Sequence, residues 1–515
     1  PVQIEALYMM GTNLLAVDTV QVKVSPFIAF SHESPVDSGD ASNPTVYVSE
    51  ISGANPWENN QELRANLASV YGAGLEVVPY AATTQDGWWQ DAFEIGYVQA
   101  PYGEMHMILA LPRSTTRNNP DFYAYARTTM MRHGVGLLAE FVDHNALLAD
   151  ERGCDDGGNF EVQPGLNLLG NSFGRIVMAQ GPRGKMNQDV VDFLVAQDVQ
   201  DVVNDIDLTW MNLGHIDEVV SFPTTVNGRA RVASSEAAWA LLRIAQNGGA
   251  GSQHILSHMN NNPLGPTVDE VLAFTGWRSD NFAADAYSDK LLGVRAQLGF
   301  TSPFTQEPTS GNGAPAGVLR RAGYLEAYDN LFTHGDEVEW RLAFTSANDY
   351  TISYRKVGTA TWHADGTGSR DQDSVSNSGA AYVLRDWWDA GLATTTNQTV
   401  SFHTRPSADM IEVPVLFCDL GRWAAGYSRA AACTNNVVNS IVDGNSLFVA
   451  DVQGPTLGGT DVFDSYVEQT ALLVGFANGT TQCEERVYHN RVGSIHCGTN
   501  VLREIPAEKW WNALS

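Results

Sequence analysis

The chain is short of basic residues. Lys and Arg number 30 against 59 Asp and Glu, so the formal net charge is 30 − 59 = −29. Sequence-independent nucleic-acid binding works by neutralising phosphates, and this balance speaks against it. It suits cationic partners such as arginine-bearing polypeptides, and equally a well-solvated extracellular surface. Long apolar runs are missing too. "ALLVGF" at 471–476 typifies the longer ones, far below the roughly 20 residues that cross a bilayer as a helix, so no membrane contact is expected. No methionine and no basic-then-apolar leader stand at Pro1, which reads as a processed product. Two sequons, Asn397-Gln-Thr and Asn478-Gly-Thr, fit a secreted glycoprotein.

Cysteine is equally scarce, with five in 515 residues. Cys154, Cys418, Cys433 and Cys483 are enough for two disulfides in any of three connectivities. The short separation of Cys418 and Cys433 favours that pair, leaving Cys154 with Cys483. Cys497 stands apart. It follows His496 and precedes Gly498, Thr499 and Asn500, a turn-forming run that can bring a thiol close to a ligand.

A hydrophobic share of 43% is ample for a core. Residues 14–30 alternate at Val20, Val22 and Val24, which is strand periodicity. "SHESPVDSGDASNP" reads as a turn-rich linker. Strand–helix–strand units follow: "TVYVSEI", "NQELRANLASVYGAG" and "LEVVPY", then "GRIVMAQG" and "VVDFLVAQDVQDVV". "SEAAWALLRIAQNG" is a helix closed by its glycine. From about 340 to 410 the composition shifts to Thr, Ser, Asp and Gly with β-like pieces, an inserted β-rich excursion on one large α/β domain.

Several segments carry candidate chemistry. "DGWWQDAFEIGY" (86–97) places Trp88 and Trp89 beside Asp91, which could form a slot for a flat cation; the bland alternative is a core strand with a buried acid. "LGHIDEVVSF" (213–222) sets His215 and Asp217 two apart, on one face if extended. His334 and Asp336 repeat that spacing. "CDDGGNFEVQP" (154–164) supplies Asp155, Asp156 and Glu161 as hard oxygens around a glycine turn, as calcium prefers, or else is a solvated acidic turn. The loop at 365–373 reads as a surface turn. A thiol, a histidine, carboxylates and an aromatic slot together suit attack on a guanidinium carbon.

"WWQDAFEIGYVQAP", "GNFEVQP…FGRI", "GHIDEVVSF" and "GSIHCGTN…KWWN", in this order, resemble the catalytic domain of the calcium-dependent peptidylarginine deiminases. The resemblance runs from about Thr45 to the C-terminus apart from the 340–410 insert. It implies a five-bladed pseudo-symmetric α/β propeller with its active site at the centre. Residues 1–44 would be the remnant of an immunoglobulin-like module plus linker, and 45–515 the catalytic domain. Carried over, Cys497 is the nucleophile, His215 the general acid/base, and Asp91 and Asp217 the guanidinium-gripping carboxylates. Trp88, Arg113, Arg491, Gly158 and Leu213 fall at substrate-binding positions, while a further expected arginine is Thr115. Gln90, Glu94, Gly157, Phe160 and Glu161 match one set of calcium ligands. A second calcium is not expected, because Ala92, Ala110 and Leu111 occupy its ligand positions. The implied reaction converts peptidyl-arginine to citrulline; deimination of free arginine or small guanidines, or an inactive arginine-peptide-binding module, are the rival readings.

Overall fold

The computed structural model describes residues 2–112, 120–140, 154–164, 173–222, 230–255, 267–273, 291, 294, 297–298, 304–308, 338–344, 349–369, 399–406, 410–419 and 429–513, less isolated positions. It is a mixed α/β structure of several small sheets. Val2–Met10 and Asn13–Val22 form an antiparallel hairpin. Among the described residues no helix is long and apolar enough to cross a membrane.

One pattern recurs five times in the described residues: a strand pairs antiparallel with its neighbour, which pairs parallel with a third strand. Thr499–Val501 pairs so with Val46–Glu50, and that strand with Leu75–Pro79. Phe93–Ala100, Gly103–Ala110 and Val135–Glu140 repeat it. So do Glu161–Gln163, Arg175–Gln180 and Asp201–Asp207. Val220–Ser221, Ala230–Ser234 and Met410–Pro414 make a fourth. Ile441–Asp443, Ser446–Ala450 and Thr480–Cys483 make a fifth.

A parallel pair needs a crossover long enough for a helix, and each crossover here carries one. Gln61–Tyr71 turns Leu63 and Leu67, one helical turn apart, into the core. Gln188–Val195 buries Val190, Val191 and Leu194, and its N-cap Asn187 accepts the Asp189 N–H at 2.9 Å. Each fully buried leucine contributes about 2 kcal/mol of transfer free energy. The first helix occupies its expected segment; the second covers only the start of "VVDFLVAQDVQDVV", whose last three residues open the strand Asp201–Asp207. The fourth crossover is far longer than the others, because a second sheet lies within it. Phe304–Pro308, Thr399–Pro406, Val338–Phe344, Asp349–Lys356 and His363–Ser369 are hydrogen-bonded in that order, all antiparallel. "YTISYRKV" and "QTVSFHT" belong to it. Residues 365–369, read from sequence as surface turn, are part of its last strand, where Thr351 faces Thr367 and Tyr350 faces Gly368.

Two expectations are corrected. Cys154 and Cys483 are free, buried thiols rather than a disulfide. Cys154, in a turn, packs against Gly181, whereas Cys483 ends the strand Thr480–Cys483 and meets Asn66 of the Gln61–Tyr71 helix. Cys433 is disulfide-bonded, and the side chain of Cys418 lies outside the described residues. The segment at His215 is not extended: His215 leads into a tight 3-10 turn, Ile216–Glu218.

Candidate active site

The same place in each repeated unit, the turn just before its first strand, carries a polar residue. Asp91 precedes Phe93–Ala100, Gly158 and Asn159 precede Glu161–Gln163, and His215 and Asp217 precede Val220–Ser221. Asn439 precedes Ile441–Asp443, and Cys497 precedes Thr499–Val501. Such turns leave backbone groups unpaired at the strand mouth, and the local sequence satisfies them. The Glu218 carboxylate accepts the N–H groups of Gly214 and His215, both at 3.1 Å. The Gly498 N–H closes the cysteine turn on the Ser494 and Ile495 carbonyls.

These turns converge. Cys497 Sγ donates to Asp217 Oδ2 at 3.4 Å and receives the Asn439 side-chain amide at 3.1 Å. Asn439 also accepts the Cys497 N–H at 3.2 Å, so one side chain fixes both ends of the residue. His215 Nδ1 lies 3.8 Å from Asp91 Oδ1, and its Nε2 lies 3.9 Å from Asp156 Oδ2. A β-carbon added to Gly158 would stand 2.7 Å from His215 Nδ1, 3.1 Å from Asp217 Oδ2 and 3.3 Å from Asp91 Oδ1. Gly158 therefore faces a single point shared by the imidazole and both carboxylates, and any side chain there would fill it.

Electrostatics follow from burial and crowded acids. Burial, with Asp217 and Asp91 next, pushes the Cys497 thiol well above its ordinary range. Burial alone would lower His215, but Asp91, Asp156, Asp217 and Glu218 outweigh it and hold the imidazole above its usual pKa. The crowded acids thus favour the proton on both the thiol and the imidazole.

Trp88 and Trp89 part company. The Trp88 ring lies over Gly493, whose added β-carbon would touch it, and stands 5.3 Å from the Tyr488 ring. Trp89 is core: its Nε1 donates to Ser49 at 2.9 Å, and Phe122 packs edge-on 5.0 Å away. Arg491 is exposed and donates to the Tyr80 hydroxyl at 2.6 Å. Leu213, partly buried, turns its carbonyl to Gly181. Arg113, Thr115, His334 and Asp336 lie outside the described residues.

A small cavity of about 20 Å³ adjoins the centre, with Gln90, Glu94, Phe160, Glu161, His32, His496 and Arg503 on its wall. That is room for roughly one water-sized guest. Burial pushes Glu161 up to about 8 and Glu94 well above the carboxylate range, so a cation between them would offset the cost of their charge. The oxygens of Gln90, Glu94, Phe160 and Glu161 therefore suit calcium. Gly157 is not on this wall; its carbonyl accepts the Phe160 N–H. Asp155 and Asp156 are not there either. Asp155 accepts the Asn187 N–H at 2.6 Å, and Asp156 faces His215.

The sequence reading missed Asn439, His32 and His496 as site residues. His496 hydrogen-bonds Asp217 at 3.0 Å through Nδ1. Its adjacency to Cys497 was a usable signal. Asn439 was visible only through its place before the fifth unit's first strand.

The family profile described as protein-arginine deiminase (PAD) matches residues 14–300 and 405–512. The unmatched stretch holds most of the five-stranded sheet. The chain is 23% identical over 512 residues to protein-arginine deiminase type-4 of Mus musculus, covering 96% of this chain and 57% of that protein. It is 28% identical over 510 residues to protein-arginine deiminase type-1 of the same species, with 96% and 57% covered. Among solved structures it is similar to C. jejuni agmatine deiminase, with a TM-score of 0.39, 9% identity, and 94% and 98% of the two chains covered. The chain spans little more than half the length of these curated relatives. With most of its length matched by the family profile, it belongs to the protein-arginine deiminase family.

Proposed function

We propose that the chain hydrolyses the guanidinium of arginine residues in polypeptides to citrulline and ammonia. The carrying observation is that Asp217, Asp91 and His215 meet at the point facing Gly158, with the Cys497 thiol hydrogen-bonded to that same Asp217. A guanidinium donates along its edges, and a carboxylate accepts two such bonds at once, so Asp91 and Asp217 orient it. The substrate's charge offsets the acids that hold the thiol protonated, so the thiol proton passes to solvent and the thiolate forms. Sulfur then adds to the guanidinium carbon. The His215 imidazolium gives its proton to the departing nitrogen, ammonia leaves, and a thiouronium remains on Cys497. Neutral His215 next takes a proton from water, whose oxygen adds to the same carbon. Collapse breaks the carbon–sulfur bond and the hydroxyl proton passes to sulfur, leaving citrulline with the thiol and the imidazolium both restored.

Trp88 would pack along the substrate's alkyl stem, with Arg491 at the exposed rim. Calcium, when bound by Gln90, Glu94, Phe160 and Glu161, would supply positive charge beside the acids of the centre. The five repeated units are read as blades of one propeller around this centre, with 1–44 preceding a 45–515 catalytic domain and the extra sheet as its insertion. A secreted location fits the acidic surface and the sequons. A colour assay for citrulline on a peptide, a protein and free arginine tests the reading. Peptide and protein should turn over; turnover of free arginine alone would restrict the substrate to small guanidines, and no citrulline from any would leave a binding module. Cys497→Ser should fold and lose nearly all turnover, and retained activity would remove the nucleophile assignment.

A further inference from the structure

The cavity beside the active centre has two unlike walls. Gln90, Glu94 and the Phe160 segment offer oxygens, while His32 and His496 offer imidazoles across Glu161. His32 Nε2 lies 3.6 Å from Glu161 Oε2, and His496 Nδ1 lies 3.8 Å from Glu161 Oε1. A tetrahedral ion with arms of about 2.1 Å places its ligands about 3.4 Å apart. One nitrogen or oxygen from each of the three residues lies within 4.8 Å of the others, so small side-chain rotations bring them onto one ion. All three residues are buried. The Arg503 guanidinium shares this wall, but its Nη1 donates to the Ser34 and Val442 carbonyls at 2.9 and 2.8 Å, and the Asp443, Glu161 and Glu94 carboxylates oppose its charge.

Calcium takes six to eight oxygens and has little use for imidazole, whereas zinc-class ions favour it. We propose that this cavity binds a zinc-class divalent cation through His32, Glu161 and His496, and binds it more tightly than calcium. Cation binding is read without turnover, so the proposal stands or falls apart from the deiminase reading. It also carries a consequence for the centre. His496 Nδ1 is the atom hydrogen-bonded to Asp217, so a zinc-class ion on that nitrogen takes it away from Asp217. Zinc and calcium should then compete for one cavity with different effects on the neighbouring acids.

The test uses metal-stripped protein. Calorimetric titration should show one high-affinity zinc site per chain, tighter than calcium by at least about tenfold. Cobalt titration should give the visible absorption of a nitrogen-ligated ion in a low-coordinate site. His32→Ala should weaken zinc by about tenfold or more, in line with the usual cost of losing a metal-site partner, and leave calcium affinity near wild type. His32→Asn serves the same purpose should alanine leave the fold unstable. Calcium binding the wild type more tightly than zinc, a cobalt spectrum of oxygen ligands only, or unchanged zinc affinity in the His32 variants would overturn the proposal.

Discussion

Burial first, and then the charges of Asp217, Asp91 and Glu218, favour the protonated and therefore poorly nucleophilic form of Cys497. That arrangement ties reactivity to occupancy: a cation between the acids removes the repulsion that keeps the proton on sulfur. Adventitious electrophiles without positive charge should therefore react slowly. Gly158 governs the space in which that cation must sit. Gly158→Ala would drive a methyl group to 2.7 Å from His215 Nδ1, well inside contact distance, so the imidazole or the turn must move. Such overpacking costs about 1–3 kcal/mol of stability. A misplacement near 1 Å at a reacting centre lowers rates by roughly 10²-fold. We expect citrulline kcat/KM to fall by that order while circular dichroism stays native. Near wild-type kcat/KM would show that the guanidinium does not use this point.

At the scale of elements, the repeated unit of antiparallel pair, helical crossover and parallel strand explains why functional residues fall where they do. Each turn entering a first strand is buried at the same relative place, so polar side chains in those turns meet. Helix Val462–Leu473 in the fifth unit shows a local conflict. Burial, with Asp461 and Asp451 next, pushes Asp464 in its first turn up to about 8. An acid whose folded pKa is raised contributes stability only at low pH and loses it as pH rises above the unfolded value. Asp464→Asn keeps an oxygen for the Val452 N–H, which Asp464 accepts at 3.4 Å. It should stabilise the protein by on the order of 1 kcal/mol at pH 7.5, a gain that shrinks toward pH 4. Urea unfolding of both proteins measures it, and a destabilised variant at pH 7.5 would show that the carboxylate is held as an anion. Much of this scale was legible in sequence: helices at 61–71 and 188–195 follow from spaced leucines and valines closed by turns. Cys497 drew notice through its turn-forming neighbours, whereas His215, Asp217 and Asp91 came with the resemblance to the deiminase motifs, because a lone acid beside tryptophans or a His–Asp spacing of two is a weak signal by itself. His32 was not, since "SHESPVDSGD" has a linker's composition, and only packing against Glu161 buries its imidazole. Asn439 was hidden similarly, because an asparagine in "NVVNSI" acquires meaning only when Cys497 is folded against it.

For the whole molecule, acidity and buried titratable groups act together on stability. His489, lowered by burial from 6.5 to about 4, must stay neutral in the fold, so its contribution is lost as pH falls below 6.5. Glu218, raised by burial to about 7, and Asp464, raised to about 8, act oppositely: the fold holds protons that the unfolded chain has released. Between pH 4.5 and 6.5 these effects oppose each other. Above pH 6.5 the histidine contributes nothing further, and the carboxyls alone remain until pH 8. A net charge of −29 adds self-repulsion in the same direction. Stability should therefore fall between pH 6.5 and 8.5, by at least about 1 kcal/mol, where unperturbed carboxylates would give no change. Denaturant unfolding in chelator, at fixed moderate salt, tests this at the two pH values. Asp464→Asn should shrink the difference, and raised salt should remove only the part due to net charge. A free energy of unfolding that holds constant or rises over this interval would mean that the buried acids are ionised in the native chain, compensated by cations that survive chelation or by closer contact with Arg503.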